Sequence, residues 1–555
     1  MPKTARHPEG LSGLMQDWPL TMNRIIEHAN RWHPSREVVS RVSSGEVVRH
    51  SYADTYVMAA RLSHALLEFG IEPGQRVATM AMNGSRHLAA WYGIFGVGAV
   101  CHTLNPRLFI EQLAFIVQHA QDRLLFADGN FIGIVKDVLN RCPTLEKVVL
   151  LSHPQGEEIQ DSRFVSFEQF VAGCADDPPW VALDEGSAAG LCYTSGTTGN
   201  PKGVLYSHRS NCLHALMSIQ PDLFNLRAVD VILPIVPMYH ANAWGFAFSA
   251  PMVGAKLVLP GLHLDGASLA DLISSEQVTL AAGVPTVALA LLDELRRRGT
   301  APLSLKRFIV GGAALSERIL REFEEMGVAA IHTWGMTEMS PLGCASTPTA
   351  ATQSLSPNEQ MTSRLKQGRP YWGVDMRLVD EKGLELPRDG KTVGALQVKG
   401  PGISKAYFRD SNTALSADGF FDTGDLATVD PFGFMKITDR AKDIIKSGGE
   451  WISSQEIERA ALAHGQAALA AVIGMHDPKW GERPLLLVKL KQGSQATADE
   501  FREHLAGRVA KWWLPDRIIF VDELPLGATG KIDKKKLREN LALFLANPDS
   551  RAADH

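Results

Sequence analysis

Apolar residues recur at helical spacing from Tyr52 to Phe69, and Gly70 stands where a left-handed residue would close such a helix. Shorter apolar runs follow, "RVATM", "RLLFAD" and "KVVLLS", each read as a short buried strand. Helix and strand signals that alternate in this way predict an α/β fold with a mostly parallel sheet. A polar stretch, "SHPQGEEIQDSR", closes this first part. The middle of the chain repeats the alternation, with "VILPIVPMYHANAW", "AKLVLPG", "VTLAAGVPT" and "LKRFIVGGAAL" each placing a strand-like run before a turn. "SERILREFEEMG" reads as a helix ending at Gly327, and residues 346–366 read as a polar loop. Beyond Gly394 strands joined by Gly and Asp turns take over, and from about residue 440 a compact unit has its own helices and strands.

At 555 residues the chain is too long for one core, so two to four structural units are expected. The charge balance, 56 Lys and Arg against 61 Asp and Glu for a net −5, speaks against nucleic acid or an anionic membrane as partner. Six scattered cysteines without a C-x-x-C pair fit a reducing compartment and no structural zinc. The longest uncharged apolar run, Leu88 to Cys101, has 14 residues with three glycines. A bilayer span needs about 20, so that run is expected in the core. The amino end resembles no export signal, and the cytoplasm is the expected location.

One loop carries candidate chemistry. "YTSGTTGNPKG", Tyr193 to Gly203, joins small hydroxyl residues and glycines and ends on a lysine. Small residues let backbone N–H groups approach phosphate oxygens, hydroxyls add donors, and Lys202 adds a point charge. The spacing is not that of a Walker loop. Other stretches say less by themselves. "HTWGMTEMSP" could be a solvated turn, and "IVGGAALS" could be only a tight strand-to-turn connection. Lys531 in "PLGATGKIDKKKL" could mark the solvated start of a helix.

Taken together and in this order, these stretches resemble the adenylate-forming superfamily of acyl-CoA synthetases, luciferases and peptide-synthetase adenylation domains. The resemblance covers about residues 50 to 540. It implies a large N-terminal domain of mixed sheets and helices over residues 1–439 and a small mobile C-terminal domain over 440–555, hinged near 439–442. It implies that Thr194, Ser195, Gly196, Thr197, Thr198, Gly199 and Lys202 bind the ATP phosphates. Trp334 would stack on adenine within the segment His332, Thr333, Gly335, Met336 and Thr337, while Glu338 and Thr194 hold Mg²⁺. Gly312, Ala313 and Ala314 would line the adenine and acyl pockets.

In "FDTGDLATVDPFGFMKITDRAKDIIKSGGEWISSQEIE", Asp425 offers paired oxygens to the ribose hydroxyls and Arg440 a charged fork, with Ile437 beside them. The family often has arginine where this chain has Asp422, and many members have glycine in place of Asp439. Lys442 falls at the hinge. Lys446, Gly448, Gly449 and Trp451 would line the thiol channel, and Lys531 would be the adenylating lysine. His240, Ala241 and Trp244, with Gly312, are the candidate acyl-site residues, and His240 reads equally well as a packed core histidine.

The implied activity is an ATP- and Mg²⁺-dependent ligation of a carboxylic acid to coenzyme A through an acyl adenylate. "VPMYHANAWGF", together with "CHTLNPRL" and "SGGEWISS", most resembles the medium- to long-chain fatty acyl-CoA synthetases. A short thioether acid resembling methylthiopropionate, an aryl acid, or loading of a carrier protein are the alternatives. The resemblance also implies a homodimer.

Overall fold

The computed structural model describes residues 13–153, 159–194, 200–301, 304–440, 442–447, 450–527 and 532–545. The first helix read from the sequence runs Tyr52–Glu68. Ser51 and Asp54 close a capping box at its start, and Gly70 at φ +83° turns the chain out of it. The buried run forms the helix Ser85–Gly96 and then the strand Val100–Thr103, so it lies in the core as expected.

Two large sheets form the body. One has seven strands, in the order Phe164–Ser166, Lys147–Leu150, Leu124–Ala127, Arg76–Met80, Val100–Thr103, Ala188–Tyr193 and Gly203–Ser207. All its pairings are parallel except the last, where Ala188–Tyr193 and Gly203–Ser207 make a hairpin. The other has nine strands, with a parallel centre that includes Val231–Pro234, Leu280–Gly283, Arg307–Val310 and Ala329–Gly335. Its strand Leu342–Ala345 turns back antiparallel to Ala329–Gly335.

The helices Tyr52–Glu68 and Ser85–Gly96 share one buried cluster with residues of both sheets, among them Val38 and Ile309 of one and Val77 and Phe126 of the other. They therefore fill the space between the sheets. At Gly93 a Cβ would come 2.9 Å from the Ala59 carbonyl oxygen, so glycine lets these two helices touch. Separate clusters cover the outer face of each sheet with the helices Gly266–Glu276, Pro285–Arg298 and Glu317–Glu325 on one side and Ile110–Ala120 and Ile132–Arg141 on the other. The result is five alternating layers of helix and sheet.

Two smaller sheets follow. Asp375–Val379, Gly394–Lys399, Phe421–Val429 and Met435–Arg440 form an antiparallel meander. Its first strand precedes Gly394, earlier than the pattern suggested. The last unit is built on the long hairpin Ala467–Asp477 and Gly481–Leu490, with Ile445–Ser447, Glu450–Ile452 and Arg517–Phe520 completing the sheet. Residues 346–366 correct the expectation of a loop. They hold the helices Ala350–Gln353 and Pro357–Leu365, started by Thr349 and by a Ser356–Glu359 capping box with proline in the first turn. Among the described residues no helix is long and apolar enough to cross a membrane.

Candidate functional site

In parallel α/β sheets ligands gather beyond the carboxyl ends of the strands, and here the ends of both large sheets meet. Asn83 ties them: its amide donates to the carbonyls of Pro234 and Val236 at 2.8 and 2.9 Å, and its oxygen accepts from Met238 N–H. Tyr206, on the hairpin of the seven-stranded sheet, donates to the Thr337 carbonyl at 2.7 Å. The segment read from the sequence as a phosphate loop joins the two strands of that hairpin. Thr194 follows the strand Ala188–Tyr193, and its N–H donates to the Lys202 carbonyl at 2.9 Å. Ser195, Gly196, Thr197, Thr198 and Gly199 lie outside the described residues.

Lys202 and Glu338 are brought together by a residue that motif reading missed. Glu338 sits in the single turn Thr337–Met339 that ends the strand Ala329–Gly335, and it is 6 % exposed. The Tyr407 hydroxyl donates to its Oε1 at 2.9 Å, while Lys202 Nζ lies 4.7 Å from the centre of the Tyr407 ring. Burial pushes the Glu338 carboxyl up, against the opposing pull of Tyr407, Arg440 and Lys202. A buried carboxylate that accepts from a phenol suits a hard metal ion. Among the described residues no group of three His, Cys, Asp or Glu side chains could hold a metal by itself. That fits Mg²⁺, which takes one carboxylate together with substrate phosphates.

The next cluster joins the meander to the body. Trp334 Nε1–H donates to Asp425 Oδ2 at 3.2 Å, and Arg440 Nε lies 2.7 Å from Asp425 Oδ1. Asp425 and Arg440 are direct partners across the strands Phe421–Val429 and Met435–Arg440. Asp425 is 1 % exposed, so the sheet supplies a buried acceptor with one exposed cationic flank. Ile437, on the same strand, packs into the hydrophobic cluster beneath and donates its N–H to Gln367 Oε1.

His332 is buried, with its two ring nitrogens 3.0 and 3.3 Å from the carbonyl oxygens of Leu365 and Ala313. It thereby braces the Gly312–Ala314 turn, whose three residues are exposed and whose Gly312 has φ +79°. Thr333 is buried with its hydroxyl toward Val310 O, Gly335 is exposed, and Met336 is half-buried.

The acyl candidates lie on an unusual turn. Ala241, Asn242, Ala243, Trp244 and Gly245 all have positive φ, between 46° and 82°. Four successive non-glycine residues in this region make a short left-handed helical turn. The turn sets the Trp244 indole against the other motif, since a Cβ on Gly311 would meet its Cη2 at 2.9 Å. His240, just before the turn, lines a small cavity with Thr103, Asn105, Leu108, Tyr193 and Tyr239. The Tyr193 hydroxyl, at the foot of the phosphate hairpin, is 2.6 Å from His119 Nδ1.

Of the C-terminal candidates, Lys442 is exposed, and Lys446 is exposed on the strand Ile445–Ser447 with its N–H donated to Glu482. Trp451 lies on the strand Glu450–Ile452. Gly448, Gly449 and Lys531 lie outside the described residues. Tyr407 carried little sequence signal, being one aromatic residue in the loop between Lys399 and Phe421 with no spacing rule attached.

Lys202, Glu338 and the Asp425–Arg440 pair, gathered at the strand ends of a five-layer body, match the order expected from the resemblance to adenylate-forming enzymes. Comparison with known proteins bears out the family. The family model of the AMP-binding enzymes matches residues 26–408, and that of the AMP-binding enzyme C-terminal domain matches 456–531. The chain belongs to the AMP-binding enzyme family.

It is 46% identical over 544 residues to a medium-chain-fatty-acid–CoA ligase of Ectopseudomonas oleovorans, covering 98% of this chain and 100% of that one. A 3-methylmercaptopropionyl-CoA ligase of Ruegeria lacuscaerulensis is also 46% identical, over 95% of this chain and 98% of its own. A long-chain-fatty-acid–CoA ligase of Thermus thermophilus is 42% identical over 95% and 96%. Among solved structures, ATP-bound MatB from Rhodopseudomonas palustris superposes with a TM-score of 0.79 at 26% identity, over 94% of this chain and 99% of that one.

Proposed function

We propose that this enzyme is an AMP-forming acid–CoA ligase acting on medium- to long-chain fatty acids. The observation that carries this is Tyr407 linking Glu338 to Lys202 beneath the phosphate hairpin, within a chain 42–46% identical to fatty-acid–CoA ligases over nearly its whole length. The acid's carboxylate attacks the α-phosphate of ATP, and pyrophosphate leaves. Both reactants are anions, so the protein's work is positioning and charge neutralisation. Asp425 and Arg440 hold the ribose side, and Lys202 with the hairpin N–H groups receives the departing phosphates. Thr194 and Glu338 would hold Mg²⁺, which supplies charge neutralisation on the triphosphate when bound.

Lys531 approaches from the C-terminal unit, residues 440–555, which turns about a hinge near 439–442 between the two steps. The CoA thiolate then attacks the acyl carbon of the adenylate, forming the thioester as the bond to AMP breaks and AMP leaves; a thiol pKa near ~8.5 leaves some thiolate available. Lys446, Gly448, Gly449 and Trp451 line that second approach. The enzyme works in the cytoplasm as a homodimer.

A second reading rests on the 3-methylmercaptopropionyl-CoA ligase, as similar to this chain as the medium-chain relative. On that reading the acid is a short thioether acid. A panel from propionate to stearate, with methylthio and cinnamate-like acids, decides between them when AMP, pyrophosphate and thioester are followed together. The expected result is AMP and thioester in equal amounts, greatest with medium or long chains. Cleavage of ATP to ADP would overturn the proposal.

A further inference from the structure

Asp439 lies next to Arg440 and takes no part in the nucleotide assignments above. Its carboxylate is fully buried at the end of the strand Met435–Arg440. Oδ2 accepts two hydrogen bonds from Ser454, from the backbone N–H at 2.6 Å and from the hydroxyl at 2.7 Å. Ser454 opens the helix Ser454–Leu462 of the C-terminal unit, so the carboxylate also faces the positive end of that helix. The Ser454 hydroxyl accepts in turn from Lys534 Nζ at 2.6 Å, and Lys534 pairs with Glu458 at 2.8 Å. Burial raises the carboxyls of both Asp439 and Glu458, and the charge of Lys534 opposes this in each. One ammonium thus serves two buried carboxylates, one from the body and one from the C-terminal unit.

Lys534 begins the helix Lys534–Glu539, three residues after Lys531 in the sequence. That helix also touches the body, because Lys536 Nζ lies 4.4 Å over the ring of Phe109. The neighbouring Leu108 lines the cavity shared by Tyr193 and His240. We propose that Asp439 is a positioning residue for acid activation, fastening the C-terminal unit in the pose that sets the helix Lys534–Glu539 against Phe109 beside this cavity. Glycine at this position could make none of these bonds. Separating the pair would leave a buried carboxylate without its partners, which is costly. The proposal rests on the acid–CoA ligase reading, and its test separates the two.

Asp439→Asn and Ser454→Ala are assayed in two half-reactions, carboxylate-dependent pyrophosphate exchange and thioester formation from supplied acyl adenylate. Exchange should fall on the order of tenfold in both variants, while conversion of supplied adenylate holds its rate or gains. Folded variants with unchanged exchange, or with both half-reactions reduced by the same factor, would overturn the role of Asp439. Wild-type enzyme showing no pyrophosphate exchange would instead remove the ligase reading beneath it.

Discussion

Trp334, Asp425 and Arg440 stand on ordinary strands, and each is fixed by a hydrogen bond or ion pair to another of the three. Ala241 to Trp244 stand on left-handed backbone, where the sequence offers only one asparagine suited to it. The proposed nucleotide side is thus held by polar contacts between regular elements. The proposed acyl side is held by packing that forces a turn into an unfavourable conformation. At about 1–2 kcal/mol per residue, four such residues store on the order of 4–8 kcal/mol. Burial of Ala241, Ala243 and Trp244 within the core between the two sheets offsets it. The Gly245 carbonyl is held by the Ser249 hydroxyl at 3.1 Å. A side chain at Gly245 would strike the His214 ring at 2.8 Å, so the turn can end only on glycine. On the proposed assignment, the ATP side is rigid and the acid side is shaped by backbone strain.

The sharpest way to break this comparison is to remove a polar group from the nucleotide side. Glu338→Gln keeps the shape and an acceptor for Tyr407 while removing the negative charge. Pyrophosphate exchange should fall about 100-fold or more, with the circular dichroism spectrum unchanged. Retention of most of the exchange would mean that the buried carboxylate is structural.

Tyr407→Phe is the gentler probe of the same side. It keeps the ring below Lys202 and removes only the hydroxyl that orients Glu338 Oε1. Groups that orient a metal ligand are worth about 10–100-fold in metal affinity. Titration of Mn²⁺ in the presence of ATP, followed by electron paramagnetic resonance, should show weaker binding by about tenfold, and saturating metal should restore exchange. An unchanged titration would assign Tyr407 to packing against Phe421 alone.

How much of this was legible follows the same division. The strands at "RVATM", "KVVLLS" and "LKRFIVGG" declared themselves by apolar runs before turns, and the alternation predicted the parallel sheets. The stretches that hold Lys202, Glu338, Asp425 and Arg440 stood out through their resemblance, in order, to the adenylate-forming superfamily; taken alone, the stretch with Glu338 reads equally as a solvated turn. Tyr407 did not stand out, since its partners are 69 residues away at Glu338 and farther still at Lys202. The left-handed turn was equally hidden. Alanine and tryptophan do not favour positive φ, so only tertiary packing imposes it. The helix Pro357–Leu365 was missed because a mostly polar segment shows little periodicity, although its Ser-Pro-x-Glu start was a cap signal.

The smallest expected effect tests the strained side, and it depends on sign more than size. Ala243 and Ala247 are both buried, four positions apart in sequence and packed in one core. Ala243 has φ +49°, while Ala247 lies within the helix Phe246–Val253. Glycine at position 247 loses helix propensity and chain entropy, roughly 1 kcal/mol, along with its buried methyl. Glycine at 243 carries the same entropic cost but relieves about 1–2 kcal/mol of left-handed strain. Ala247→Gly should therefore lower the unfolding midpoint in urea, and Ala243→Gly should leave it level or raise it. If strain also shapes the acid pocket, Ala243→Gly should broaden the chain-length profile through a looser Trp244, with the KM for ATP unchanged. Equal destabilisation by both substitutions would show that the turn stores no strain, and the contrast between the two sides would lose its physical basis.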